Sequence, residues 1–489
     1  MHRFAALCAT LLCACSFPGP PTLLPPPFGP DPANPEPARF FFPTGVAIAS
    51  ECPSGPSTCG PAQWLVVSNS NADRQYDTGA IYSLRIADLL PLFQPPPPPA
   101  PATPKTVPFP IGSLAGKAMT GNYTGPMVIA QGTVYTGSRD TNRLNAVAVD
   151  LKTGALSCRT GATIDTGNED CRSGVVDLSR TATVEGPFGI TTGTVRDAKN
   201  GVDVEALLVS SVVPHIDDIQ SGVLFTSSRI AAVNLFDPTK VLFSALVTNR
   251  LDVARGIGAG PIVFDDRRRE VIVGGCYVRF GSASAGGEPS TLKCGNLGNT
   301  AIIRFVPVDA GVDASARVYD LSAQIRAIDV TGLALGDVDA TTGMRPLYVS
   351  MRSPDAVARI GLPPDPAFPP VVESVATISS QPSLVHRVQR PTGSTGSDLL
   401  VVSAVATYET STTAGRLIVV DGAFNRVITQ VEGLGDTPFA IAQFPPQPGD
   451  VSARFAVSLF GSCRVSLVEV PYANPELAVL RANVGSCPQ

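Results

Sequence analysis

The chain has 489 residues, of which 16% are charged, and a formal net charge of -5. That is sparse against the ~25% charge of an ordinary soluble domain, and a weakly acidic balance argues against nucleic acid as a partner, which needs a basic surface. Gly 45 and Pro 47 favour many turns, and six lysines among the 36 basic residues reflect base composition more than function.

The first element is MHRFAALCATLLCACS. A short basic start, His2 and Arg3, precedes an apolar run from Phe4 to Ala14. The run is too short to span a bilayer, which takes ~20 apolar residues. It fits the h-region of a secretory signal with small residues at the cleavage point. Leu12-Cys13-Ala14-Cys15 resembles the bacterial lipobox. The resemblance implies cleavage before Cys15, diacylation of Cys15 and anchorage in the cell envelope, with Ser16 as a default outer-membrane address. Residues 1–14 are then the signal peptide. Residues 15–38 are too proline-rich for helix or sheet and read as a disordered, extended tether.

Beyond Cys8, Cys13 and Cys15, eight cysteines remain, in neighbouring couples: Cys52 and Cys59, Cys158 and Cys171, Cys276 and Cys294, Cys463 and Cys487. Four local disulfides are the expectation for an exported chain, although eight cysteines allow 105 pairings. No couple has zinc-finger spacing and no C-x-x-C-H is present, so no metal, haem or other cofactor is expected.

From residue 39 onward the sequence repeats. A proline, or a substitute, precedes small residues and an aliphatic pair: PTGVAI at Pro43, PMVIA at Pro126, PFGIT at Pro187, PIVFD at Pro261, VTGLAL at Val330, PSLVH at Pro382 and PFAIA at Pro438. A second apolar run follows each phrase and ends in small polar residues, as in WLVVSNS and LLVVSAV. A third run often ends at an aspartate, as in LNAVAVD and GRLIVVD, and a weaker fourth run closes the unit. Runs of four to seven apolar or alternating residues between turn residues are β-strands. The phrases lie 52 to 83 residues apart. A four-stranded blade needs ~40–50, so the excess lies in loops, visibly in FQPPPPPAPATPK and between Gly281 and Asn299. Unequal loops suit a propeller and defeat a solenoid. The expectation is an all-β chain: a β-propeller of seven four-stranded blades over 39–489, packed by aliphatics and pinned at its last blade by Cys463 and Cys487.

These units are similar to the YVTN-type seven-bladed propeller repeat. PLYVSMRSPDAVARIG and GRLIVVDGAFNRVITQVEGLGDTPFAIA resemble it most, and blade five departs from it by lacking the proline. The resemblance specifies a fold and leaves function open.

No nucleophile elbow, phosphate loop or metalloprotease motif is present. Gly256-Ile257-Gly258-Ala259-Gly260 reads as a turn before blade four, and Asp265-Asp266-Arg267-Arg268-Arg269 as a solvated hairpin turn. The loops after each second strand should open on one mouth of the ring. Arg139, Asp140, Arg143, His215, Asp217, Asp218, Arg352 and Asp355 fall there. Arg139 and Arg352 suit an anionic ligand, on one rim although from blades two and five. His215 beside Asp217 and Asp218 suits a general base. Two functions follow. The first is an outer-membrane or cell-surface lipoprotein whose propeller holds a protein or glycan partner. The alternative is a hydrolase of the lactonase type, since seven-bladed propellers include lactone hydrolases. A purely structural envelope role is the third reading.

Overall fold

The computed structural model describes residues 23–29, 37–51, 60–94, 105–197, 200–213, 215–220, 223–247, 254–257, 260–279, 299–308, 317–325, 327, 329–378, 380–391, 396–405 and 415–487. Cys15, Cys52, Cys59 and Cys294 lie outside them, as do the side chains of Cys276, His215, Asp217 and Asp218.

Every repeat phrase falls on or beside the innermost strand of a blade. Pro43–Ala49 opens blade one, Thr124–Ala130 blade two, Glu185–Arg196 blade three, Asp329–Leu335 blade five, Gln381–Arg387 blade six and Pro438–Gln443 blade seven. Blade four splits this strand into Ala254–Ile257 and Ile262–Asp265, both paired with Glu270–Arg279. Gly256 and Ile257 are therefore strand, not turn. Each sheet runs antiparallel from inner to outer strand, and the inner strands touch in sequence until Pro438–Gln443 closes back on Pro43–Ala49. The chain is a seven-bladed β-propeller.

The phrase has a physical reason. The inner strand's register shifts within it in six blades, for instance between Pro43 and Gly45, Val330 and Gly332, and Pro438 and Ala440. This is a β-bulge, where a residue leaves the ladder and proline's missing N–H does no harm. The bulge's polar groups meet a buried hydroxyl on the second strand. The Leu384 amide donates to Ser403 Oγ at 3.2 Å, the Ala440 amide to Ser458 Oγ at 3.0 Å, and Thr331 and Ser350 pair at 3.0 Å. The small polar residues ending each second run thus satisfy buried backbone. Inner strands also converge on the axis. A Cβ on Gly332 would stand 2.7 Å from the Val385 amide nitrogen and 2.9 Å from Leu384 Cα, which is why glycine holds that place. The aspartates ending third strands make turns: Asp150 Oδ1 accepts from the Lys152 amide at 2.8 Å, and Asp421 Oδ1 from Ala423 at 2.9 Å.

Aliphatics fill most inter-blade layers, but the seam between blades one and seven is aromatic. Phe40 lies edge-on to Phe109 at 4.9 Å, and Phe41 meets Tyr76 at 5.1 Å and Tyr82 at 6.4 Å. The insertion at 93–105, which falls between the third and fourth strands of blade one, Gly79–Arg85 and Leu114–Thr120, does more than fill a loop. Its residues Lys105–Val107 form a fifth strand, parallel to the outer strand Val479–Val484 of blade seven. Cys463 and Cys487 are bonded within blade seven, tying its outer strand beside this seam, and Cys158 and Cys171 are bonded in blade two. The proline-rich leader is also partly folded. Residues 23–29 pack on blade one, where the Tyr82 hydroxyl donates to Pro26 O and Lys117 Nζ lies 4.6 Å from the Phe28 ring centroid.

The turn at 265–270 differs from its solvated expectation. Asp265 is fully buried, and Arg268 and Glu270 nearly so. Arg268 Nε pairs with Glu270 Oε2 at 2.9 Å, and Arg345 reaches Asp265 at 2.9 Å and Asp266 at 2.6 Å. Arg317 also pairs with Glu270, and Arg269 pairs with Asp203 at 2.9 Å. The turn joins blades three, four and five on the face opposite the mouth. The buried Arg268 guanidinium is matched there by the buried Glu270 carboxylate, as a charge out of water must be.

His386, on the inner strand of blade six, meets Phe455 of blade seven edge-on at 6.0 Å. Burial holds its imidazole down at about 4, with Gln443 opposing and Arg387 adding slightly. The folded state keeps His386 neutral, while the unfolded chain protonates it near the usual 6.5. Its stability contribution is therefore complete above pH ~6.5 and is lost as pH falls toward 4. At ~1.4 kcal/mol per unit the loss is on the order of 3 kcal/mol. Urea midpoints between pH 7 and 4.5 should fall less for His386→Leu than for the natural chain. Parallel slopes would remove His386 from the acid response.

Candidate functional site at the channel mouth

In every blade the start of the inner strand pairs with the end of the second: Thr124 opposite Ser138, Glu185 opposite Val213, Asp329 opposite Arg352. These ends, and the loops after the second strands, form one rim. Arg139 follows Thr133–Ser138, and Arg352 ends Arg345–Arg352, so both stand on that rim, in blades two and five.

Inside the rim lies a cavity of about 310 Å³. Its walls are mainly apolar, with Pro126, Phe188, Pro261, Val330, Leu384 and Phe439 contributed by six successive blades. Phe188 of blade three and Phe439 of blade seven meet edge-on at 6.0 Å across the channel, and Phe439 leads on to Phe460 at 6.2 Å. The charged groups lining it are Asp329 and Arg352. Arg352 Nη1 lies 3.9 Å from Asp329 Oδ2, and its Nε donates to Pro382 O at 3.3 Å. Burial pushes the Asp329 carboxyl above the usual carboxylate range, against the pull of Arg352. The pairing is loose, and the Arg352 side chain is 41% exposed.

Arg139 is not among the residues lining the cavity, but it shares a wall with it. Its guanidinium stacks over Phe188 at 5.6 Å and over Tyr123 at 5.9 Å, and its Nε donates to Tyr123 O at 3.3 Å. Burial draws its pKa down, with Tyr123 opposing. Among the described residues it has no carboxylate within ion-pair distance. Asp140 is exposed and accepts from the Asn122 amide at 3.2 Å. Arg143 turns away toward Asp177 at 3.8 Å. Asp355 caps its own turn, accepting from the Ser353 amide at 3.5 Å. His215, Asp217 and Asp218 lie on His215–Gln220, which pairs with Val223–Ser227 as a separate hairpin rising from blade three's second-to-third connection. The expected loop is thus a hairpin.

Three site residues were not singled out from the sequence. Asp329 immediately precedes Val330, which stands in blade five where other phrases carry proline. Phe188 and Phe439 sit in the two phrases reading PF, whose second residue faces the axis. Among the described residues no group of three or more His, Cys, Asp or Glu is arranged to hold a metal ion.

No protein-family model matches this sequence, and no curated protein matches it. Solved structures match its fold at low identity. Sqt1 of Saccharomyces cerevisiae is 8% identical over 84% of this chain and 82% of its own, with a TM-score of 0.41. A europium-containing methanol dehydrogenase is 10% identical over 90% and 80%, with a TM-score of 0.41. The hydrazine synthase of Kuenenia stuttgartiensis is 8% identical over 89% and 97%, with a TM-score of 0.42. At these values none of them bears on what this chain binds; the propeller itself rests on the strand order described above.

Proposed function

We propose that this protein is a cell-envelope lipoprotein of YVTN-like repeat type, anchored through Cys15, whose propeller mouth binds an anionic group of a protein or glycan partner. The observation that carries the binding site is the apolar cavity whose rim presents Arg352, loosely paired, and Arg139, stacked on aromatic rings and, among the described residues, without a carboxylate in ion-pair distance. An apolar pocket with a few convergent polar groups is the usual form of a ligand site. A guanidinium offers fork-shaped donors to a carboxylate or sulfate. The signal-like start, the Cys15 motif and the disulfides support the compartment. The lactonase-type reading rests on His215, Asp217 and Asp218, for which no described side-chain contact speaks.

The test is a thermal-shift panel of acidic oligosaccharides, acidic peptides, lactones and divalent metals on the natural chain and on Arg352→Ala. An acidic compound should raise the transition as mass action requires, and the rise should vanish in the variant. Turnover of a lactone, lost in His215→Ala, would replace binding with hydrolysis.

A further inference from the structure

We propose that the channel mouth is turned toward the membrane that carries the protein, with the opposite face and its ion-pair turn directed away. This rests on the anchorage through Cys15 proposed above, and it adds which surface meets the bilayer.

The sequence alone allots a spacer of 24 residues, 15–38, long enough to leave the propeller free to tumble. The folded leader shortens it. Leu23 is fixed on blade one, its carbonyl accepting from the Asp77 amide at 2.9 Å. Asp77 belongs to the connection between Trp64–Asn69 and Gly79–Arg85, which opens on the mouth rim. The Asp77 carbonyl also accepts from Asn122 Nδ2 at 3.2 Å, at the start of blade two on the same rim. Tyr82 and Lys117 hold the following residues to the outer part of blade one. The chain therefore leaves the folded body at the mouth, not at the opposite face.

Eight residue steps separate Cys15 from Leu23. Fully extended at ~3.3–3.6 Å per residue, they span ~26–29 Å at most. Blade strands of six to eight residues, such as Trp64–Asn69 and Ser452–Leu459, stand ~20–26 Å tall at ~3.3 Å per residue before their turns are added. To lay the opposite face on the bilayer, the leash would have to run straight down the whole wall with no slack. That extension is entropically the most costly state of the segment. With the mouth toward the membrane no extension is required. A ligand of the mouth is then one that is borne by the membrane or enters the gap beneath the propeller.

The full lipidated chain, reconstituted in phosphatidylcholine vesicles carrying a headgroup fluorescence acceptor, tests this. Donor dyes are placed without reduction at Thr141→Cys, an exposed turn on the mouth rim, or at Thr341→Cys, an exposed turn on the opposite face. Energy transfer should be several-fold greater from Thr141→Cys. Inserting a flexible Gly-Ser segment of about 20 residues after Ser16 should erase most of that difference. Equal transfer from both sites in vesicle-bound protein, or greater transfer from Thr341→Cys, overturns the orientation and leaves the anchor standing. A Cys15→Ser chain that floats with the vesicles as the natural one does overturns the anchor, and the orientation with it.

Discussion

Replacing Phe40 with alanine should lower stability by about 3–5 kcal/mol, the cost of emptying a buried aromatic site. Phe40 is fully buried at the one junction in the ring that must join the first blade to the last. Its ring meets Phe109 edge-on at 4.9 Å and packs in the same cluster as Val465, Leu467 and Val484 of blade seven. Phe109 follows the strand Lys105–Val107, so loss of Phe40 also loosens the segment that pairs with Val479–Val484. The disulfide Cys463–Cys487 lies in blade seven beside this cluster and adds on the order of 2–4 kcal/mol by closing its loop. Denaturant unfolding under non-reducing conditions reads the Phe40 effect, and reduction should enlarge it. A Phe40→Ala chain within about 1 kcal/mol of the natural one would show that the seam does not depend on its aromatics.

Glu270→Ala should cost a similar amount, about 3–5 kcal/mol, because it breaks a buried ion pair from one side. The Glu270 side chain is 4% exposed and accepts from Arg268 Nε at 2.9 Å and from Arg317. The Arg268 side chain is 1% exposed, and burial lowers its pKa, with Asp265 and Asp365 opposing. The variant leaves this guanidinium without its carboxylate, with Pro363 O at 2.8 Å and the face of Phe305 as remaining partners. Asp203→Ala removes an exposed, solvent-screened pair to Arg269 on the same face and should cost far less than Glu270→Ala. The contrast is measured in one urea series. Equal costs would mean that the turn behaves as the solvated loop its sequence suggests.

That turn shows where a single sequence stops being informative. Asp-Asp-Arg-Arg-Arg between two strands is a hydrophilic hairpin by composition; its burial depends on Arg345, 79 residues after its partner Asp266, and Arg317, 47 residues after its partner Glu270. The strands themselves were legible because each is a local apolar run bounded by turn residues. The repeated phrase was legible as a pattern, while its cause needs the neighbouring blade: the bulge, the serine that satisfies it and the crowding that demands glycine at Gly332. The mouth was partly legible. Arg139 and Arg352 both stand at the ends of second strands on one rim, one register position apart, and only Arg352 lines the cavity. The aromatic wall was not, because Phe188, Phe439 and Asp329 acquire meaning only when six inner strands converge. The parallel strand Lys105–Val107 was hidden in a segment whose prolines advertise a loop, and the docked leader in one whose prolines advertise a spacer.

The proposed function places the ligand at the channel mouth. Photo-crosslinking in intact cells tests it most directly, with a photoreactive residue placed at Thr437, which lines the cavity, or at Thr341 on the opposite face. The expected result is a discrete adduct from Thr437 that disappears when Arg352→Ala is added, and none of that mass from Thr341. The same adduct from both positions, or a Thr437 adduct indifferent to Arg352, would contradict the account.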